Sequence, residues 1–239
     1  MNLAENLVKA YFNWVYNPVY DITTGRLSAY RNWQKRCVGK LLFEEGDSIL
    51  CVGIGTGNEI LYILDGHSKI EVVGVDFSER ALRRAYRKGL KRGKKLKVIK
   101  MDAQNLQYPA ESFNKALCLH VMDFIEDDVK ATEEILRVLR RGGQFVITYP
   151  SGKEGIGLGF KLFKDSIHHN SNSGNFAKIF PELLVQMGVG VLYVPLLFRA
   201  KQRSYSRQDL EAMFAELKPA HFQVEEYPRY NDFIVSGRK

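Results

Sequence analysis

A glycine-rich segment has the spacing of a ligand-binding turn. Residues 49–59 read ILCVGIGTGNE, with Gly53, Gly55 and Gly57 between an apolar run and a helical pattern. Glycines at this junction let bare backbone approach a ligand near the free N–H groups of a helix N-terminus. The dinucleotide fingerprint G-x-G-x-x-G would need glycine where Asn58 stands, and the G-K-[ST] of a phosphate-binding loop is absent. The spacing therefore argues against dehydrogenases that bind nicotinamide or flavin, and against proteins that bind nucleoside triphosphates.

The hydrophobic pattern indicates the elements that position this turn. From about residue 47 onward strands alternate with helices, which favours a parallel sheet because parallel neighbours need crossover connections. Seven strands are predicted, at residues 47–53, 70–75, 96–100, 115–119, 144–149, 221–227 and 231–236. Helices are predicted at residues 58–64, 128–139 and 206–217, and over the basic segment that Ser78 caps. The pattern predicts a doubly wound α/β fold whose last two strands form an antiparallel hairpin at the sheet edge.

The chain of 239 residues suits a single domain. We expect residues 1–44 to form a helical cover, residues 45–150 a ligand-binding core, residues 151–203 an inserted lid, and residues 204–239 a closing helix and hairpin. The lid interrupts the alternation: it begins with a glycine-rich stretch and ends in an apolar run.

The composition argues against a disordered protein and against a protein with a membrane-spanning helix. The chain is 45% hydrophobic and 26% charged, which excludes long disorder. No apolar stretch reaches the roughly 18–20 residues that a membrane-spanning helix needs, and the N-terminus has no signal-peptide pattern. Three scattered cysteines form no metal-binding spacing, so a reducing cytoplasm is the expected compartment.

Four segments resemble, in order and spacing, the successive motifs of class I S-adenosylmethionine-dependent methyltransferases: VGIGTG, GVDFS, VIKMDAQNLQYPAESFN and VLRRGGQFVIT. The resemblance covers residues 47–150 strongly and residues 204–239 loosely. The stretch YNPVYD at residues 16–21 is similar to the N-terminal segment of ubiquinone/menaquinone C-methyltransferases and phospholipid N-methyltransferases. The resemblance implies a Rossmann-like fold, S-adenosyl-L-methionine as cofactor, and a small or lipid-like acceptor such as a quinone or phospholipid.

The resemblance also implies a set of cofactor-binding residues: Tyr20, Gly53, Gly55, Gly57, Asp76, Phe77, Met101, Asp102, Ala103 and His120. Asp76 lies 23 positions beyond Gly53, where its carboxylate would accept hydrogen bonds from both ribose hydroxyls; the alternative is an acid at a helix N-terminus. Phe77 would lie against the adenine or be a plain core residue. Asp102 would accept from the adenine amino group, with Ala103 contributing its N–H, or be a simple turn aspartate.

Two positions depart from the family pattern. Cys51 stands two residues before the first motif glycine, where the family usually has an acid that supports the glycine loop and helps hold the methionine ammonium. Asn114 replaces a common aspartate at the start of the fourth strand. Neither change removes a reacting group, so the fold prediction is unaffected. Either the role of the missing acid falls to another residue or cofactor affinity is lower, and a cofactor-binding protein without catalysis is one alternative function.

The sulfonium of the cofactor carries its own activation, so the protein mainly contributes alignment and exclusion of water. Where the acceptor must lose a proton, the candidate catalytic residues are His120, Asp123, His168 and His169. The adjacent histidine pair is alternatively an ordinary part of a loop. No third ligand follows at a useful spacing, so no metal site is predicted.

The net charge of +8 is concentrated in residues 80–97, where ten of eighteen residues are basic. Such a run attracts nucleic acid or an anionic membrane, or it is the solvated face of an amphipathic helix. An RNA-directed methyltransferase or nucleic-acid-binding protein is therefore the alternative function. The sequence LHVMDF after the fourth strand argues against nucleic acid, since base N-methylating relatives often carry an Asn-Pro-Pro-Tyr-type element there. Apolar residues in the lid favour a lipid-like acceptor and peripheral membrane contact, or they simply pack the lid onto the domain.

Overall fold

The computed structural model describes residues 10–11, 14–15, 21, 27–64, 69–93, 96–151, 167, 171, 179–193, 204–228 and 230–239. Among these residues the helices are α1 (Ser28–Val38), α2 (Ile60–Leu64), α3 (Glu79–Lys91), α4 (Asp128–Val138), α5 (Ile179–Tyr193) and α6 (Arg207–Leu217). The strands are β1 (Ser48–Val52), β2 (Glu71–Asp76), β3 (Leu96–Lys100), β4 (Phe113–Cys118), β5 (Leu139–Pro150), β6 (His221–Tyr227) and β7 (Asp232–Arg238), and a 3-10 turn covers Met122–Phe124.

The seven strands form one sheet in the order β3-β2-β1-β4-β5-β7-β6. The first five strands are parallel, whereas β7 pairs antiparallel with both β5 and β6. This arrangement confirms the predicted doubly wound, mainly parallel seven-stranded sheet with an antiparallel C-terminal hairpin. Because β3, β2, β1 and β4 are parallel neighbours, the segments that follow them meet at one edge of the sheet.

Helices cover both faces of the sheet. On one face α4 and α6 pack through Ile135 and Phe214 against β4 and β5. On the other face α1, α2 and α3 form a second cluster that includes the fully buried Trp33 and Ile60. Residues of β1 alternate between the two clusters, as expected for a strand buried on both faces.

Two elements differ from the predicted ones. Strand β5 begins at Leu139, five residues before the predicted start, because Leu139 already pairs with Phe113 of β4 and the following Arg-Arg-Gly-Gly segment bonds the C-terminal Lys239. Gly142 takes a φ of +76° within this irregular start, and its N–H donates to the Lys239 carbonyl at 2.7 Å. Within the predicted lid, α5 is a 15-residue apolar helix that the sequence pattern did not predict.

Helix caps follow the sequence signals. The Ser78 hydroxyl accepts from the Ala81 N–H at the start of α3, which confirms the predicted cap. Ser206 and Asp209 form a reciprocal capping box at the start of α6. Among the described residues, no helix is long and apolar enough to cross a membrane.

Candidate active site at the carboxyl edge of the sheet

The glycine loop follows β1 and carries three glycines in the left-handed region. Gly53, Gly55 and Gly57 have φ values of +64°, +53° and +73°, a conformation that costs little only for glycine. A Cβ added at Gly53 would lie 2.3 Å from a Val121 methyl, and one added at Gly57 would lie 2.9 Å from the Ala85 Cβ. A Cβ at Gly55 would meet only the Gly53 carbonyl at 3.9 Å, so space remains above this glycine.

Asp76, the last residue of β2, holds the glycine loop in place. Its Oδ2 accepts from the Gly55 N–H and its Oδ1 from the Ser78 N–H, both at 2.8 Å. Burial raises the pKa of Asp76 to about 6, while the bonds from Ser78, Gly55 and Phe77 N–H lower it. These three N–H bonds use three of the four lone pairs of the carboxylate, so one lone pair remains for ligand hydroxyls.

The segment after β3 lies beside Asp76. The Met101 N–H donates to the Asp76 carbonyl at 3.1 Å, which extends the pairing of β2 and β3. Met101 and Ala103 are partly buried against the core, whereas Asp102 is exposed and accepts from the Gln104 N–H at 2.9 Å. Phe77 is 39% exposed, so it is not a plain core residue. An exposed ring and an exposed carboxylate at neighbouring strand ends suit an adenine base.

Lys88 of helix α3 forms hydrogen bonds to residues of two other segments, the end of the glycine loop and Asp21 near the N-terminus. Lys88 Nζ donates to Asp21 Oδ1 at 2.7 Å and to Asn58 Oδ1 at 2.5 Å. The Thr56 hydroxyl donates to the same Asp21 oxygen at 2.5 Å. Asp21 is the last residue of the YNPVYD stretch, and these bonds hold its carboxylate beside the glycine loop. Sequence reasoning missed both Asp21 and Lys88.

Cys51 and Glu59 lie close together beneath the loop. Cys51 is buried in β1, opposite Gly74 of β2 and Leu117 of β4. Burial and the nearby Glu59 carboxylate both raise the pKa of its thiol. Glu59 is only 9% exposed, and burial raises its pKa to about 7. A buried acid two residues after the last motif glycine was visible in the sequence but was not selected there.

His120 follows β4 and precedes Val121, which lies against the first loop glycine, Gly53. His120 has a φ of +54°, and its N–H donates to Thr148 Oγ1 at 2.9 Å. Its ring Nε2 lies 2.5 Å from Asp232 Oδ2, and its ring centroid lies 4.0 Å from that of Trp33. Asp123, in the following 3-10 turn, is half-buried and close enough to raise the pKa of Asp232.

The arrangement is that of a nucleoside-binding edge. Three glycines, a buried carboxylate and an exposed ring lie at the ends of adjacent parallel strands, and a Cβ added at Gly55 would meet no atom closer than 3.9 Å. These residues fit S-adenosylmethionine, whose ribose, adenine and amino-acid parts need acceptors, an aromatic face and bare backbone.

Comparison with known proteins supports this assignment. A family profile described as a methyltransferase domain matches residues 50–147. A phosphatidylethanolamine N-methyltransferase of Cereibacter sphaeroides is 31% identical over 144 residues, covering 58% of this chain and 65% of that protein. A demethylmenaquinone methyltransferase of Thermus thermophilus is 31% identical over 150 residues, covering 61% of this chain and 68% of that protein. The chain belongs to the S-adenosylmethionine-dependent methyltransferases.

A solved structure shares the fold of this chain. The crystal structure of an S-adenosylmethionine-dependent methyltransferase from Thermotoga maritima superimposes with a TM-score of 0.62 at 19% identity, over 96% of this chain and 98% of that one. This likeness confirms the Rossmann-like methyltransferase fold. The methyltransferase uses S-adenosylmethionine as its methyl donor.

Most of the site residues predicted from the sequence lie at the expected edge of the methyltransferase sheet. Gly53, Asp76, Met101–Ala103 and His120 follow β1, β2, β3 and β4, which are neighbours in the order β3-β2-β1-β4. Tyr20, His168 and His169 lie outside the described residues. Asp232 was missed, because its contact with His120 joins positions 112 residues apart. Within the described part of the chain, no cluster of three or more His, Cys, Asp or Glu side chains could hold a metal ion.

Proposed function

We propose that this methyltransferase transfers the methyl group of S-adenosylmethionine to a small lipophilic acceptor, such as a quinone or a phospholipid headgroup. The observation that carries the proposal is the aromatic wall beside His120, at the end of β4. Trp33 is fully buried and its ring lies tilted against the imidazole, 4.0 Å away between centroids, while Tyr30 and Tyr230 lie 5.9 and 6.1 Å from it. The printed names of two relatives, a phosphatidylethanolamine and a demethylmenaquinone methyltransferase, agree with such an acceptor.

In this proposal the glycine loop and Asp76 hold the cofactor at the end of β1 and β2. Asp76 accepts from the ribose hydroxyls, while Phe77 and Asp102 contact the adenine. Asp21 approaches the loop from the N-terminal side, where it accepts from the Thr56 hydroxyl. Residues 1–44 and 151–203 then serve as a cover and a lid around the acceptor.

A direct experiment is methyl transfer from deuteromethyl-labelled S-adenosylmethionine, followed by mass spectrometry. The acceptors are a demethylmenaquinol in detergent, vesicles of phosphatidylethanolamine, and the water-soluble compounds phosphoethanolamine and histamine. We expect label in one of the two lipid-soluble acceptors. Label confined to the water-soluble compounds would contradict the proposal.

We also propose that the enzyme works in the cytoplasm against an anionic membrane, through the exposed face of α3. Arg83, Tyr86, Arg87 and Leu90 are all exposed and recur at the spacing of one helix face. At the start of the helix Arg80 lies 3.5 Å from the centroid of the exposed Trp14 ring. Cations interleaved with aromatic and aliphatic side chains suit an anionic lipid surface.

The exposed apolar face of α5 is a second feature that supports the proposed membrane contact. Phe180, Leu184, Met187 and Val191 are exposed by 54–73% and follow one helix face. Val185 of α5 packs on the cluster to which Leu82 of α3 belongs, so both helices cover the same face of the sheet.

Vesicle flotation tests this surface, using phosphatidylcholine with and without phosphatidylglycerol. We expect binding to the anionic vesicles that is lost at high salt and in the double variant Arg83→Gln/Arg87→Gln. The variant Arg140→Gln/Arg141→Gln removes the same charge from another exposed segment and should bind normally. Equal loss in both variants would show that net charge, and not the α3 face, causes binding.

A further inference from the structure

The His120 imidazole is held in one orientation by its surroundings. A histidine with positive φ is uncommon, and such a conformation persists only where neighbouring contacts impose it. Here the contacts are the Thr148 hydroxyl on the His120 N–H, the Asp232 carboxylate on Nε2 and the Trp33 indole on the ring.

Asp232 is the less exposed member of the pair. Its side chain is 8% exposed, against 31% for His120. Among the described residues, His120 is the only cation-forming side chain within 4.0 Å of this carboxylate. Burial raises the pKa of Asp232, the His120 imidazole lowers it, and Asp123 raises it. In the described part of the chain, the Cys37 thiol and the Tyr30 and Tyr230 phenols are further titratable groups around the pair.

This geometry determines which nitrogen of His120 is basic. A carboxylate accepts a hydrogen bond, so Nε2 carries the proton and Nδ1 is the nitrogen that can take another. A buried carboxylate also stabilises the imidazolium that forms when Nδ1 is protonated. The same pairing orients the base in other enzymes that use a carboxylate–histidine couple.

We propose that His120 is the general base of methyl transfer and that Asp232 is the residue that positions its imidazole. The inference rests on the proposed function. His120 Nδ1 takes the proton of the acceptor, and the electron pair left on the acceptor forms the new bond to the methyl carbon. The sulfur–methyl bond breaks with its electrons remaining on sulfur, which leaves S-adenosylhomocysteine, and the proton passes from His120 to water.

The acceptor must therefore carry a dissociable proton on the methylated atom or conjugated to it. A quinol hydroxyl and the ammonium of an ethanolamine headgroup both satisfy this condition. A thioether does not, because it has no proton to lose.

The first test needs no acceptor. NMR spectra of the full chain labelled with 15N-histidine report the tautomer and pKa of each of the five histidines, and His120→Asn assigns the His120 signals. Asparagine tolerates positive φ, so this variant should keep the local backbone. We expect the Nε2–H tautomer for neutral His120, and a pKa lowered by about one unit in Asp232→Asn. The Nδ1–H tautomer, or an unchanged pKa in Asp232→Asn, would overturn the proposal.

The second test measures kinetics with the acceptor that the wild-type enzyme labels. We expect His120→Asn and Asp232→Asn to lower kcat about 100-fold or more, and Asp232→Asn to leave the affinity for S-adenosylhomocysteine unchanged within twofold. The Asp232→Asn rate should rise with pH over a range where the wild-type rate is flat, because the acceptor then ionises without help. Glu226→Gln, which removes an exposed carboxylate from the neighbouring strand β6, should behave as wild type.

The two proposals fail in different ways. If the wild-type enzyme labels only the water-soluble acceptors, the proposed acceptor class is wrong, and the kinetic test of the dyad runs on those compounds. If it labels none, the NMR experiment alone decides whether the dyad exists. If kcat in Asp232→Asn stays within threefold of wild type at every pH, the dyad has no catalytic role.

Discussion

Gly53 and Val121 are packed so closely that a single added methyl group would overlap: a Cβ at Gly53 would lie 2.3 Å from Val121 Cγ2. This contact joins the glycine loop after β1 to the segment after β4, and so joins the cofactor side of the site to His120. At Gly55, two residues further on, the corresponding space is open.

The two glycines should therefore respond differently to substitution. We expect Gly53→Ala to lower the free energy of unfolding by about 2–4 kcal/mol, from overpacking against Val121 plus the left-handed φ. Gly55→Ala should lower it by only about 1 kcal/mol, because only the backbone conformation is unfavourable. It should nevertheless weaken S-adenosylhomocysteine binding at least tenfold, since its methyl group enters the ligand space. Urea denaturation and calorimetry measure both quantities, and equal stability losses would contradict this account of the loop.

The Asp76 carboxylate should contribute to cofactor affinity beyond its role in the loop. We expect Asp76→Ala to weaken S-adenosylhomocysteine binding by about 10–100-fold, the range for losing hydrogen bonds to a charged group. Glu79→Gln is the matched control, because it removes an exposed acid three residues further along. Unchanged affinity in Asp76→Ala, measured by calorimetry on folded protein, would refute the ribose assignment.

The core of the fold was predictable because its signals are local. Strands β1 and β2 centre on short apolar runs, and Ser78 and Ser206 cap the following helices as their positions suggest. Helix α5 was not predicted, because Gly188 and Gly190 interrupt a segment that is apolar on every side and therefore shows little helical period. The division into cover, core, lid and closing hairpin stays a prediction.

Site residues were predictable from the sequence only where a single segment, a strand and the residues after it, determines their position. The glycine loop, Asp76 and Asp102 each follow a strand, so their common edge follows from the sheet order. Asp232 has no local signal, since it faces His120 only after β7 inserts between β5 and β6. Trp33 reaches the same ring from α1 across the sheet face.

Replacing Cys51 by the acid that the family usually has at this position should destabilise the fold. The side chain is buried, and Glu59 already lies beside it, so Cys51→Asp would bury a second carboxylate without a cation. We expect the free energy of unfolding to fall by about 3 kcal/mol or more, against less than about 1.5 kcal/mol for the near-isosteric Cys51→Ser. The loss should be smaller in a Glu59→Gln background, because the two carboxylates repel. Strict additivity in this double-mutant cycle would show that the two sites do not interact.

Stability should decrease as pH rises from 5 to 8, because Glu59 and Asp76 have pKa values raised by burial to about 7 and about 6. Between the unfolded and folded pKa values the native state holds a proton that the unfolded chain has lost. The free energy of unfolding then falls by about 1.4 kcal/mol per group and pH unit. The contribution of Glu59 is fully present below its unfolded pKa and is lost as pH passes 7, a total of about 3 kcal/mol. Glu59→Gln should flatten the profile and be more stable than wild type at pH 8, while the exposed control Glu226→Gln keeps the wild-type slope. Urea denaturation at pH 5, 6, 7 and 8 measures this, and parallel profiles for wild type and Glu59→Gln would show that Glu59 titrates normally.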